Sequence, residues 1–304
     1  MKWRLGTRES RLALVQSGSV AAALRALGVE VEMVPIKTSG DRLAQVALAD
    51  FGGKALFVKE IEEALLDGRV DIAVHSLKDM PAVLPRGLTL GAFPPRGDPR
   101  DVLVTRTGGA LADLPAGSVV GTSSLRRRVL LLARRADLCL EPIRGNVDTR
   151  LGKLAEGRYD ALIMAKAGLD RLGLAPAHVV PLAVDEFLPA VGQGILAVEV
   201  RADHREGLEL LERVDDTRTR MEAVAERSFL RRLGGDCHTP VAGHARVEAG
   251  AITVTGLVAS LDGRTVLCSS VSGAAGAAEA LGAELAGELL ARGAAPLLAA
   301  GGPP

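Results

Sequence analysis

The sequence has 304 residues, 48% of them hydrophobic, and its 37 Lys and Arg residues equal its 37 Asp and Glu residues in number. That length allows two or three domains with their own cores, while the balanced charge provides no overall field to attract DNA or RNA. Only five Phe, one Trp and one Tyr are available to stack on bases. We therefore expect no nucleic-acid partner, and any anion site must be local.

The cysteines indicate the compartment. Cys139, Cys237 and Cys268 have no CxxC spacing, and their odd number argues against a disulfide framework. The amino terminus lacks an apolar segment of signal-peptide length, and no apolar run approaches the length of a membrane span. We expect a cytoplasmic protein that does not associate with membranes.

The first part of the chain predicts alternating strands and helices. Strands are expected over residues 3–7, 29–35, 70–74 and 88–93, and helices follow Ser10 and cover residues 58–67. Ser10 is a plausible helix cap, and the glycines at 52–53 indicate a flexible segment that could act as a lid.

Residues 75–81 (HSLKDMP) directly follow the apolar strand at 70–74, which we interpret as a buried strand of a parallel sheet. Ligands bind at the carboxyl ends of strands in open α/β sheets. Pro81 restricts Met80 to extended conformations, so Lys78 and Asp79 lie on a constrained loop. Taken alone, these residues favour a simple loop ion pair, and His75 is interpreted as a structural histidine.

Residues 94–100 break all periodicity and predict a hinge, after which strand–helix alternation restarts. Residues 195–200 form a further apolar strand that could return to the first unit. Residues 217–304 indicate a small α+β domain, with a hairpin at Asp262-Gly263. The predicted domains are residues 1–95 with 195–213, residues 100–190, and residues 217–304.

The strongest charge cluster is residues 121–128 (GTSSLRRR), joined by Arg144 and Arg150 in the next strand-to-helix turn. Ser123 and Ser124 lie where a helix would begin, so hydroxyl groups and free backbone N–H groups would face an anion. Arginine forks suit carboxylate or phosphate. We favour this function for Arg126 and Arg127, and a solvated helix face for the arginines at 128, 134 and 135.

Cys237 lies on a glycine-rich loop before Pro240. A cysteine there could be a nucleophile, an attachment point or an unreactive thiol. His238 and His244 lie nearby, but no second cysteine pair is in range, so we expect no metal site.

Together these segments resemble the porphobilinogen deaminase family from residue 5 to about residue 261. The resemblance rests on seven motifs in the order of the family: residues 6–10 (GTRES), 53–60 (GKALFVKE), 75–81 (HSLKDMP), 121–127 (GTSSLRR), 144–150 (RGNVDTR), 167–172 (AGLDRL) and 233–237 (LGGDC).

The resemblance implies two α/β domains like the lobes of periplasmic binding proteins, joined by a hinge, and a small C-terminal α+β domain. It implies a monomeric transferase with a dipyrromethane cofactor bound to Cys237 by a thioether. Four porphobilinogen molecules would be condensed onto this primer with loss of ammonia, and hydrolysis would release hydroxymethylbilane. Porphobilinogen carries an acetate and a propionate, so the growing chain accumulates carboxylates.

The resemblance also implies the site residues. Asp79 would be catalytic, stabilising the positive charge left when ammonia departs. Besides Cys237, the implied cofactor-binding residues are Lys78, Asp79, Thr122, Ser123, Ser124, Arg126, Arg127, Arg144 and Gly145. The implied substrate-binding residues are Arg8, Ser10, Lys54, Phe57, Arg144, Arg150, Arg171 and Gln193.

Two other classes of protein remain open. A non-catalytic two-lobed binding protein for a small carboxylate or phosphate explains the α/β units and the arginines, but not the loop that carries Cys237. An RNA-binding enzyme that uses the arginine-rich helix is disfavoured by the neutral charge and the few aromatic residues.

Overall fold

The computed structural model describes residues 2–39, 58–234 and 239–299. Its strands are β1 (Lys2–Arg8), β2 (Glu30–Ile36), β3 (Ile72–Ser76), β4 (Leu88–Ala92), β5 (Asp101–Thr105), β6 (Val119–Gly121), β7 (Cys139–Glu141), β8 (Ala161–Ala165), β9 (Val179–Pro181), β10 (Leu196–Arg201), β11 (Val241–Glu248), β12 (Ala251–Ala259) and β13 (Val266–Ala274). Its helices are α1 (Arg11–Ala26), α2 (Lys59–Leu66), α3 (Leu125–Leu132), α4 (Val147–Ala155), α5 (Lys166–Leu172), α6 (Arg205–Glu212), α7 (Thr217–Leu233), α8 (Ala278–Ala291) and α9 (Ala294–Ala299). Within these ranges no helix has the length and apolar character needed to span a bilayer.

The first sheet has the strand order β2-β1-β3-β10-β4. Strand β1 runs parallel to β2 and β3, whereas β10 runs antiparallel to both β3 and β4. The prediction that β3 lies within a parallel sheet is therefore correct for its neighbour β1 and wrong for its neighbour β10. The reason is that β10 enters this sheet only after the chain has passed through the second sheet, and it arrives from the opposite direction. We call this sheet with its flanking helices the first unit.

The second sheet repeats the pattern with the order β7-β6-β8-β5-β9. Strand β6 is parallel to β7 and β8, and β5 is antiparallel to β8 and β9. We call this sheet with its helices the second unit. Two connections, residues 93–100 and 182–195, join the units.

The third sheet is an antiparallel meander, β11-β12-β13, covered by α7 and α8. Phe229 of α7 is fully buried against it, and a Cβ at Gly256 would lie 2.5 Å from the Phe229 ring, so only glycine fits there. Helix α7 begins at Thr217, because the Asp216 side chain accepts a hydrogen bond from the backbone N–H of Thr219 at 2.8 Å. The predicted class, two α/β units with a small C-terminal α+β unit, is confirmed.

A buried ion network ties the three parts together. Arg96, in the first connection, lies 2.7 Å from Glu226 and 3.2 Å from Glu222, both on α7. The Glu226 carboxylate also accepts hydrogen bonds from the backbone N–H groups of Gly192 at 2.6 Å and Ala245 at 2.7 Å. Because these groups are nearly inaccessible to water, removing one partner would leave an uncompensated charge.

Candidate active site

Strand β3 ends in a single 3₁₀ turn, Leu77–Asp79, that presents Asp79 to solvent and leaves Lys78 half-buried. Leu77 anchors the turn, because it is 2% exposed and its backbone N–H donates to the Ile195 carbonyl at 3.0 Å. Gly192 packs against the turn in a left-handed conformation (φ 74°), where a Cβ would lie 2.8 Å from the Leu77 side chain. Met80 is extended before Pro81, as predicted.

The two strand-to-helix turns that follow β6 and β7 lie at the same edge of the second sheet. Ser123 joins them, since its hydroxyl donates to the Ile143 carbonyl at 2.7 Å and accepts from the Ile143 N–H at 3.0 Å. Ser124 caps α3 by accepting from the Arg127 N–H at 3.4 Å, and the Thr122 hydroxyl accepts from the Ser124 N–H at 3.2 Å. The parallel pairing of β6 and β7 explains why the two turns meet.

Arg126 and Arg127 point into the protein and share the carboxylate of Asp101. Arg126 Nη1 lies 2.7 Å from one carboxylate oxygen and Arg127 Nη2 lies 2.7 Å from the other. Burial by itself would raise the pKa of Asp101, but the two guanidinium groups lower it to about 2. Both arginines are also held by backbone carbonyls, of Leu188 at 2.8 Å and Ile163 at 2.9 Å respectively.

Arg150 extends from α4 towards the same region. Its Nε donates to the carbonyl of Gly145 at 2.8 Å, and Gly145 has a φ of 108° with the Thr149 side chain 2.7 Å from where a Cβ would lie. Burial and the nearby Arg127 lower the pKa of Arg150, whereas Asp79 raises it. Arg144 is half-buried at the start of this turn.

Charged residues of both units affect the pKa of Lys78. Its pKa is lowered to about 8, with burial as the largest cause. Asp79 and Asp101 oppose this shift, and Arg126 and Arg127 reinforce it. A lysine and a carboxylate of the first unit therefore share one electrostatic environment with a carboxylate and two arginines of the second.

The remaining predicted residues take different positions. Arg171 Nη2 donates to the carbonyl of Gly194 at 2.6 Å, and Gln193 Nε2 donates to Pro99 at 2.7 Å and to Asp101 at 3.1 Å, so both contact the connections between the units. Ser10 caps α1 by accepting from the Ala13 N–H at 3.3 Å. Arg8 is half-buried at the end of β1. Lys54, Phe57 and Cys237 lie outside the described residues.

Sequence reasoning missed two sets of buried charges. The first is Asp101, whose only signal was a carboxylate opening the apolar strand β5. The second is a cluster of Glu62, His75 and Glu199, in which His75 Nε2 lies 3.0 Å from a Glu199 carboxylate oxygen and both side chains are at most 3% exposed. This supports the structural interpretation of His75. Within the described ranges, no group of three or more His, Cys, Asp or Glu side chains is placed to hold a metal ion.

A carboxylate-bearing cofactor fits the described residues. The Nε of Arg126 is a buried donor with no hydrogen-bond partner among them. Lysine, arginine and hydroxyl groups surround this point, and they are the groups that bind carboxylates. Fold and site together define a class: an α/β protein with two sheet units and a cationic site between them at which the carboxylate of Asp79 is exposed.

Comparison with known proteins identifies the family within this class. Residues 3–209 match the model described as porphobilinogen deaminase, dipyromethane cofactor binding domain, and residues 220–291 match porphobilinogen deaminase, C-terminal domain. The porphobilinogen deaminase of Syntrophobacter fumaroxidans is 50% identical over 297 residues, covering 97% of this chain and 96% of that protein. That of Syntrophotalea carbinolica is 51% identical over 299 residues, covering 98% and 95%. The chain belongs to the porphobilinogen deaminase family.

Solved structures give weaker similarity. The periplasmic aliphatic sulphonate binding protein from Escherichia coli has a TM-score of 0.42 at 16% identity, with 76% of this chain and 70% of that chain covered. A periplasmic domain of BvgS from Bordetella pertussis has a TM-score of 0.43 at 14% identity, with 70% and 86% covered. Similarity at this level supports no conclusion about ligands. Family membership, by contrast, favours the enzyme over the non-catalytic binding protein that the sequence left open.

Proposed function

We propose that this chain is a transferase that condenses four porphobilinogen molecules, with loss of ammonia, onto a dipyrromethane primer and then releases hydroxymethylbilane. One observation carries the proposal beyond family membership. The turn with Lys78 and Asp79 and the arginine turns come from different units, yet Arg126 and Arg127 lower the pKa of Lys78, and Asp79 raises the pKa of Arg150. A site that combines several cations with one exposed carboxylate suits a ligand with many carboxylates and one reacting cation.

Asp79 is the residue we assign to catalysis. Its exposed carboxylate would accept hydrogen bonds from pyrrole N–H groups, stabilise the positive charge that develops as ammonia leaves, and assist proton transfer. The turn that carries it is held by backbone contacts from the second connection, so the carboxylate is positioned before the substrate arrives.

The cations would bind the carboxylates of the substrate and the primer. We assign Lys78, Arg126, Arg127, Arg144 and Arg150 to this role. Arg8, Arg171, Gln193, Lys54 and Phe57 would bind the incoming substrate. The hydroxyls of Ser10, Thr122, Ser123 and Ser124 and the backbone of Gly145 would complete the binding turns. When bound, the dipyrromethane supplies the pyrrole carbon that accepts the first substrate unit.

Cys237 is the proposed attachment point, through a thioether. The support is the resemblance of residues 233–237 and the match of residues 3–209 to a dipyromethane cofactor binding domain. Intact-mass analysis of the purified chain should show two extra pyrrole units that are absent from Cys237→Ser and retained in Cys268→Ser, since Cys268 is an exposed free cysteine elsewhere. A folded wild-type chain without added mass, and without turnover of porphobilinogen, would contradict the proposal.

We further propose that the protein works as a cytoplasmic monomer. The odd number of cysteines without CxxC spacing supports a reducing compartment, and the resemblance supports the monomer. Light scattering on the eluting chain should give the mass of one copy, and a mass of two copies at micromolar concentration would contradict the monomer.

A further inference from the structure

The two arginines proposed to bind substrate carboxylates already hold one carboxylate of the protein. Asp101 is fully buried, Arg126 is 4% exposed and Arg127 is 7% exposed. Arg127 donates to Asp101 through both Nε at 3.0 Å and Nη2 at 2.7 Å, and Arg126 approaches the other oxygen. Gln193 adds a further hydrogen bond to the same carboxylate at 3.1 Å.

The charges at this point do not cancel. Two guanidinium groups face one carboxylate, so a net positive charge remains, and Arg126 Nε is a buried donor without a partner in the described part of the chain. An incoming carboxylate could therefore use the remaining charge and donors at once, but it would have to share both arginines with Asp101.

We propose that Asp101 is a positioning residue that competes with the carboxylates of the bound ligand for Arg126 and Arg127. The purpose of this competition rests on the proposed function. The ion pairs between Asp101 and the two arginines are present whatever the function is. A buried guanidinium left without any counterion is strongly unfavourable. With Asp101 in place, the arginines never lose all their partners when a ligand carboxylate departs.

This competition matters most for a ligand that has to move. Each added pyrrole unit brings an acetate and a propionate, so a chain that grows by four units would have to move its carboxylates relative to these cations. Arginines without an internal partner would hold each carboxylate more tightly and release it more slowly. Asp101 therefore weakens ground-state binding and favours the advance of the chain.

The direct test compares Asp101→Asn with Asp98→Asn. Asp98 lies three residues earlier, in the first connection, is mostly buried and pairs with Arg100 at 2.6 Å, so the control also breaks an Arg–Asp pair close by in the sequence. Sulfate binding to the purified full chain is measured from the unfolding midpoint over a sulfate titration at constant ionic strength. Comparison with the control removes the general stabilising effect of sulfate.

We expect Asp101→Asn to bind sulfate at least about tenfold more tightly than wild type, which corresponds to 1.4 kcal/mol, and Asp98→Asn to match wild type. Under turnover, intact-mass analysis should show bound intermediates persisting about tenfold longer in Asp101→Asn, with lower KM and lower kcat. A purely structural role for Asp101 would leave the distribution of intermediates unchanged. Unchanged or weaker sulfate binding in the folded variant would overturn the inference.

A second comparison applies if Asp101→Asn does not fold, because it leaves two neighbouring cations unneutralised. In Arg126→Gln, the charges of Arg127 and Asp101 sum to about zero. In the double variant Arg126→Gln/Asp101→Asn, Arg127 alone keeps its charge, so the net charge is about +1 and no second guanidinium group repels it. The double variant should bind sulfate more tightly than Arg126→Gln, and equal binding would overturn the inference. If wild type carries no cofactor and has no turnover, the proposed function fails while both sulfate comparisons still test Asp101.

Discussion

Glu62 should make the stability of the first unit depend on pH, and a single substitution should remove that dependence. The side chain is 6% exposed on α2. Burial, with a further contribution from the Glu199 carboxylate, raises its pKa from the ordinary 4.5 to about 7, while His75 opposes the shift. Arg227 is also close to Glu199, so the cluster contains both signs of charge.

The sign of the effect follows from proton binding in the two states. Below pH 4.5 Glu62 is protonated whether the protein is folded or unfolded, and it contributes nothing. Between about pH 4.5 and 7 the unfolded chain releases the proton while the folded chain keeps it, so stability falls as pH rises. Above pH 7 the loss is complete, and at 1.36 kcal/mol per pH unit it amounts to about 3 kcal/mol.

Glu62→Gln keeps the shape of the side chain and removes its ionisation. We expect it to match wild type near pH 4.5 and to be about 3 kcal/mol more stable at pH 8. Urea unfolding can be followed by the fluorescence of Trp3, the only tryptophan, which is 3% exposed in the core of the first unit. It therefore reports on the unit that contains Glu62.

The matched control is Glu63→Gln. Glu63 is the next residue on the same helix, but its side chain is half exposed and its ion pair with Lys59 is 3.9 Å long, so it should change stability by less than about 1 kcal/mol at either pH. Equal stability of Glu62→Gln and wild type at pH 8 would refute the reasoning, as would a gain of the same size at pH 4.5.

Three further outcomes are expected. Asp79→Ala should retain the two-pyrrole mass or accumulate bound intermediates while turnover is nearly abolished, and near-normal turnover would remove Asp79 from the mechanism. Lys78 loses its charge as pH rises through about 8, so the KM for porphobilinogen should rise above that pH in wild type and stay flat in Lys78→Arg; parallel KM profiles would contradict this role. Arg96→Met should lower the free energy of unfolding by about 3–5 kcal/mol, because Glu226 would be left buried and unpaired, whereas Arg100→Met, which removes a side chain that is 41% exposed, should cost under about 1 kcal/mol in the same urea titration.

Local patterns predicted the elements that form the site. The caps of α1 and α3 at Ser10 and Ser124 follow from short-range spacing, as does the extended Met80 before Pro81. The two arginine turns meet because parallel strands bring their carboxyl ends to one edge. These features depend on residues close in the chain or on a general rule of sheet topology, so the sequence was sufficient for them.

The partners of the buried charges were decided only by the tertiary structure. The carboxylate of Asp101 comes from β5, and the arginines that hold it come from α3. In the first unit, the cluster of Glu62, His75 and Glu199 combines residues of α2, β3 and β10. Strand β10 follows the second unit in the chain and pairs antiparallel with β3. No periodicity or spacing encodes such encounters, because they depend on where separately folded segments pack. The sequence by itself determined which residues carry charge near the site, and the packing of the two units determined which charges neutralise one another and which remain for a ligand.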